Sequence, residues 1–292
     1  MKTLADLLRT SWAGLRLLLL LTLVLGVAYP LLITGVAQLP GLQSRADGSL
    51  LHQNGAVVGS SLIGQNFTDS SGSPLPKYFQ PRPSAAGEGY DPTASGASNL
   101  GPESIVDVLP NPAVKGDEGK PSLLTQVCTR SLAIGKLDGV DGARPFCTPD
   151  GVGAVLAVFW SGPGYAGHIT KVVSVNQTGT PFQNAYHGVA VQPAVYGQDY
   201  SAGQLVPVHG NAPARPAVPA DAVTASGSGL DPDISPAYAA IQVNRVAKAR
   251  GLSPDRVRAL VRSYTSGRGL GFLGSPVVNV VQLNAALDRL GH

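Results

Sequence analysis

The chain has 292 residues, of which only 13% are charged, with a net charge of +3. That leaves no basic block and no basic-aromatic interleaving, so nucleic-acid binding has no support. The 36 glycines and 24 prolines favour a loop-rich architecture, and the 6% aromatic content leaves Val, Leu, Ile and Ala to build the core.

Leu17–Ala37 (LLLLLTLVLGVAYPLLITGVA) is 21 residues long and almost wholly apolar, and about 20 such residues cross a bilayer. Pro30 is tolerated there, because membrane helices accommodate proline. A cleaved secretory signal is the rival reading, since Gly35-Val36-Ala37 resembles a small-residue cleavage site. The run exceeds the roughly 7–15 apolar residues of a signal core, and its length favours an anchor spanning residues 1–40 with its N-terminal tail. Lys2, Arg9 and Arg16 stand against Asp6 on the near flank, whereas Arg45 is balanced by Asp47 on the far one. The positive-inside rule then places the N-terminus in the cytoplasm and residues 41–292 outside.

Residues 49–59 read as a hairpin whose Asn54-Gly55 pair suits a type I′ turn. Residues 60–104 are irregular, broken by proline and glycine. The stretch at about 110–220 reads as a β-rich insertion, with strands at GVGAVLAVFW (151–160) and ITKVVSVNQ (169–177), ending in a proline-rich connector at 207–221. It holds Cys128 and Cys147, which outside the cytoplasm can form a disulfide. Two free thiols are the alternative, and the absence of CxxC removes a zinc or redox reading.

Helix signals are clearest near the C-terminus. Ser235-Pro236 opens a helix to Arg250, with Ala239, Val243, Val246 and Ala249 able to share a face, and Gly251 stands at its stop. Ser253-Pro254 opens a second, with Val257, Leu260, Val261 and Tyr264 on one side. Val277-Val278 reads as a short strand. Asn279 with Gln282 resembles a capping box, and Val280, Leu283, Leu287 and Leu290 form the stripe of a last helix. The fold class expected is α+β behind a single transmembrane helix.

TASGSGLDPDIS (224–235) invites a chemical reading, but the spacing rejects three of them. No G-x-S-x-G surrounds Ser226 or Ser228, no lysine completes a phosphate loop, and no glutamate closes a calcium loop after Asp231 and Asp233. The two aspartates are expected at a helix N-terminus, and the loop as a structural or partner-facing turn. The stretch is echoed by TASGASNLGP (93–102), so two similar loops could sit face to face. His52, His168, His187, His209 and His292 are scattered and form no metal motif, and GLGFLG (269–274) lacks the strand and βαβ unit of a dinucleotide fingerprint. A membrane-anchored hydrolase using Ser226 or Ser228 requires a histidine and an acid beside the serine, and stands as the alternative alongside a binding protein.

Several segments in order, GVAYPLL, GSLL with VVGSSLIGQNF, YFQPRPSA, YDPTASGASNLGP, DAVTASGSGLDPDISPAYAAIQVNRVAKARGL and GFLGSPVVNVVQLNAALD, resemble the KdpC family, the C subunit of the potassium-transporting P-type ATPase. The resemblance covers residues 10–104 and 220–290, and Ala97 stands where the family usually has a second glycine. It implies a non-catalytic subunit with one span and an extracytoplasmic domain, working beside a channel-like potassium subunit, a P-type ATPase subunit and a small hydrophobic subunit. It also implies a chaperone role that raises ATP affinity, with ATP the only cofactor in view and no metal. The signature-loop residues are Ser95, Gly96, Ser98, Asn99, Ser226, Gly227, Ser228, Gly229, Asp231, Asp233 and Ser235, expected to be structural or partner-facing.

Overall fold

The computed structural model describes residues 3–290, and the chain falls into two compact units that divide between Leu62 and Ile63. The first begins with α1 (Leu4–Leu23), a single π turn (Val24–Ala28) and α2 (Tyr29–Ala37), which form one helix of 34 residues. Thr3 opens it through a capping box with Asp6, whose carboxylate accepts the Thr3 N–H at 3.3 Å and hydroxyl at 2.9 Å. The π turn ends at Ala28, two residues before Pro30, whose ring and missing N–H interrupt the regular ladder. The helix thus starts well before Leu17, and its charge-free part is about 32 Å long at 1.5 Å per residue, matching a bilayer core of about 30 Å. A short α3 (Gln43–Ala46) leads to the hairpin of β1 (Leu50–Gln53) and β2 (Ala56–Ser60). Its turn residues Asn54 and Gly55 both have positive φ, as the sequence predicts.

In the second unit the long irregular stretch contains one 3₁₀ turn, Pro92–Ala94. The middle region is not purely β: α4 (Leu123–Asp138), capped by Ser122, precedes its strands. The strands are β3 (Val155–Gly162), β4 (Ala166–Ser174), β5 (Ala185–Tyr186), β6 (Val189–Pro193) and β7 (Gln204–Pro207), in the spatial order β5-β6-β4-β3-β7. β3 pairs antiparallel with β4 and β7, whereas β4 and β6 run parallel. Side chains alternate between the faces of this sheet. Val155, Ala157 and Val173 pack on one face, and Leu156, Val158 and Val172 on the other.

After α5 (Ala220–Val223), β8 (Asp233–Ile234) leads into α6 (Pro236–Arg250), α7 (Pro254–Ser263), β9 (Thr265–Ser266), β10 (Val277–Asn279) and α8 (Val280–Arg289). β10 lies between β8 and β9 in a small antiparallel sheet. Ser235, Ser253 and Asn279 cap their helices, each accepting an N–H three residues on, and Gly251 ends α6 at φ +63°. Val243, Val246, Val257, Leu283 and Leu287 build the core that these helices share, with Val127 and Ile134 of α4 packed against it. Two members of the expected stripes fall outside it. Ala249 is exposed because Ala247 and Arg250 take the inward positions, and Leu290 is 39% exposed because α8 ends at Arg289.

The segment Tyr78-Phe79-Gln80 runs through this core and is held by side chains rather than by a strand. Asn284 accepts the Phe79 N–H and donates to its carbonyl, both at 2.9 Å. Gln242 does the same for Gln80, at 2.6 and 3.1 Å. Arg245 donates to the carbonyls of Pro76 and Tyr78 and to Asp138 of α4, at 2.7–2.8 Å, so the helix of the middle region is ion-paired to α6. Among the described residues no buried side-chain nitrogen or oxygen is left without a partner, as burial demands.

Candidate functional site: the interlocked signature loops

Arg82 is the hub of the loops singled out by sequence. Pro81 and Pro83 restrict the backbone on either side, and its guanidinium reaches the carbonyls of Thr224 (3.3 Å) and Ala225 (3.2 Å) and the carboxylate of Asp231 (3.0 Å). The planar fork of arginine can satisfy these divergent acceptors at once. Ser84 donates to the Gly229 carbonyl at 2.6 Å and accepts the N–H of Ala86 and of Tyr90. The buried Tyr90 returns a hydrogen bond from its hydroxyl to the Arg82 carbonyl at 2.5 Å, and burial, followed by the nearby Asp231 charge, raises its pKa. Arg82 and Tyr90 stand in the family-like segments YFQPRPSA and YDPTASGASNLGP, but no local spacing assigns either a role. The signal for Arg82 was its position as the one charge in YFQPRPSA.

The echoed loops do meet. The Ser228 carbonyl accepts the hydroxyl of Ser95 at 2.9 Å and the N–H of Gly96 at 3.0 Å. A side chain on Gly229 would strike Ala86 and approach the Gly96 carbonyl, so the crossing is close as well as bonded. Ser226 and Ser228 accept the N–H groups of Gly229 and Leu230, which is turn chemistry. Ser98 accepts the Leu100 N–H. Ala97 is not among the positive-φ residues, so an alanine is compatible with the backbone there. Ser95, Ser98, Asn99, Gly227 and Ser228 are exposed and form a polar rim above the buried Tyr90 and Gly229.

The aspartates differ from expectation. Asp231 accepts the Asp233 N–H at 3.0 Å and pairs with Arg82 rather than facing a helix end. Asp233 lies in β8, paired with Asn279, and its pKa is raised by burial and then by the charge of Asp231. Asp221 takes the place at the entrance to α6: its two carboxylate oxygens accept the Ser235 N–H at 2.7 Å and hydroxyl at 2.9 Å. Asp221 stands in the segment DAVTASGSGLDPDIS, but no local spacing marks it as the partner of Ser235.

For chemistry, the serines lack company. Among the described residues no histidine is bonded to Ser226 or Ser228. His52 is on β1, His168 on β4 and His187 after β5. His209 faces Phe146 with Nδ1 3.1 Å from the Gly210 carbonyl, and His292 lies outside the described residues. Among the described residues no group of three or more His, Cys, Asp or Glu is arranged to hold a metal. Cys128 and Cys147 are joined in a disulfide, with Cα atoms 5.4 Å apart, tying α4 to the loop before β3. The glycines of 269–274 form a closed turn, with Gly269 and Leu273 bonded to each other in both directions.

Comparison with known proteins matches this sequence to one family. The family described as KdpC, K⁺-transporting ATPase, c chain, matches over residues 11–107 and 199–289, the two stretches that contain the interlocked loops. A Kineococcus radiotolerans protein named potassium-transporting ATPase KdpC subunit is 40% identical over 97% of this chain and 95% of its own length. Proteins of the same name from Rhodospirillum rubrum (37% identical, 97% and 96% covered) and Mycobacterium tuberculosis (35%, 95% and 96%) also match. These alignments run nearly end to end, so the relatives extend through the segment between the two family stretches. On the family match and these near-full-length relatives, the chain belongs to the KdpC family.

Proposed function

We propose that the chain is the accessory C subunit of an ATP-driven potassium uptake complex, and that it supports assembly and stability of that complex. The observation that carries this reading is the family match across both halves of the chain, joined to a single apolar helix long enough to span a bilayer. We place the N-terminus in the cytoplasm and the second unit outside, following the cationic flank of the helix. The Cys128–Cys147 disulfide supports that placement, since such bonds persist in oxidising compartments.

In this reading the partners are a channel-like potassium subunit, a P-type ATPase subunit and a small hydrophobic subunit. The polar rim of Ser95, Ser98, Asn99 and Ser228, set on a rigid base, is the surface proposed to meet one of them. Any effect on the ATP affinity of the ATPase subunit then travels through subunit contacts, because ATP is cytoplasmic and the chain has no phosphate loop. The test is affinity purification from membranes in mild detergent, with identification of co-purifying chains and a potassium-stimulated ATPase assay. The expected result is a P-type ATPase partner whose activity falls when this chain is omitted. Purification without such a partner overturns the reading.

A further inference from the structure

The loop between β9 and β10 presents large apolar side chains to solvent. Leu270 is 84%, Phe272 70% and Leu273 53% exposed. The loop is a defined object. Gly269 and Leu273 bond to each other at 2.8 Å in both directions, Phe272 N–H returns to the Gly269 carbonyl, and Gly271 N–H to that of Arg268. The closed turn therefore fixes Leu270, Gly271 and Phe272 at its tip, with Arg268 at its base.

The sequence flanking the tip carries charge of one sign. Arg256, Arg258, Arg262 and Arg268 precede the tip, and no acidic residue occurs from Arg256 to Leu287. Arg258, which pairs with Asp255 at 2.7 Å, and Arg262 line a groove of about 480 Å³ that also includes Gly267, at the stem of the loop. An apolar tip ahead of a predominantly cationic base, in which Asp255 offsets only Arg258, complements an anionic bilayer, whose hydrocarbon lies behind its negative headgroups. A protein groove would need acidic groups set to match each arginine.

We propose that the Leu270–Leu273 loop is a second membrane contact, inserting Leu270 and Phe272 into the interface of an anionic bilayer while the neighbouring arginines engage its headgroups. The N-terminal helix keeps the chain at a bilayer, so a weak interfacial contact suffices.

The test places the photoreactive p-benzoylphenylalanine at Phe272, and separately at the exposed Tyr165, in the full chain held in nanodiscs of phosphatidylglycerol or of phosphatidylcholine. Mass spectrometry then reads the cross-linked partner. The expected result is phospholipid captured at 272, more in the anionic discs, and falling about five-fold for each of Arg262→Gln and Arg268→Gln. Lipid capture at 272 no greater than at 165 overturns the proposal. So does capture of a protein subunit alone when position 272 is probed in native membranes. Neither failure touches the anchor, because incorporation into the discs is read separately.

Discussion

A methyl group added at Gly64 would collide with the ring of Tyr90 and lie 3.0 Å from the Asp231 carbonyl. The ring cannot retreat, because Tyr90 is buried and its hydroxyl is bonded to the Arg82 backbone. Gly64→Ala is expected to cost about 1–3 kcal/mol, the usual range for overpacking, in denaturant unfolding. Tyr90→Ala in the same chain should make the second change cheaper, so the pair is expected to be less than additive. Asp233 gives a pH signature. Burial and the Asp231 charge hold its folded pKa above the unfolded one, so the native state binds the proton more tightly and loses stability as pH rises through the carboxylate range. Asp233→Asn should therefore unfold at a higher temperature than the parent at neutral pH. That gain should vanish below about pH 4, where the Asp233 carboxyl is protonated in the folded and the unfolded chain alike, in thermal melts across pH.

Elements differ in how plainly the sequence announces them. The hairpin, α6, α7 and α8 carry local signals, Asn54-Gly55, Ser235-Pro236, Ser253-Pro254 and Asn279, and the structure contains each of them. The helix α4 writes no hydrophobic stripe, although Ser122 and Gly139 bracket it, because its apolar positions are diluted by Thr125, Cys128, Ser131 and Gly135 on the buried face. Small residues pack a helix closely without writing a hydrophobic stripe. The site was half legible: composition singles out the loops at 93–102 and 224–235, which Ser95 joins to Ser228 across 133 residues, but the second loop is also held by Arg82 and Ser84, 143 and 145 residues before their partners Ala225 and Gly229. The disulfide joins the second turn of α4 to the loop before β3, and its two cysteines are 19 residues apart in sequence. Replacing both with alanine is expected to lower stability by about 3 kcal/mol in the chain-entropy model, read as a shifted denaturation midpoint. The parent under reducing conditions should approach the same value.

The whole chain carries a bilayer-length helix in its first unit and, in its second, contacts between residues far apart in sequence. The middle segment is bonded into the rest by Arg245 with Asp138 and by Arg130 with the Val223 carbonyl. The two amide clamps on Phe79 and Gln80 extend this dependence in time as well as space. Asn284 lies 205 residues after Phe79, and Gln242 lies 162 after Gln80. As the chain emerges N-terminus first, Phe79 and Gln80 appear long before the side chains that satisfy their backbones. Contacts of such separation close late, after their loop entropy has been paid. The unit therefore completes its core only when α8 is made, and until then the early segment is an unpaired edge that aggregation or a protease can find.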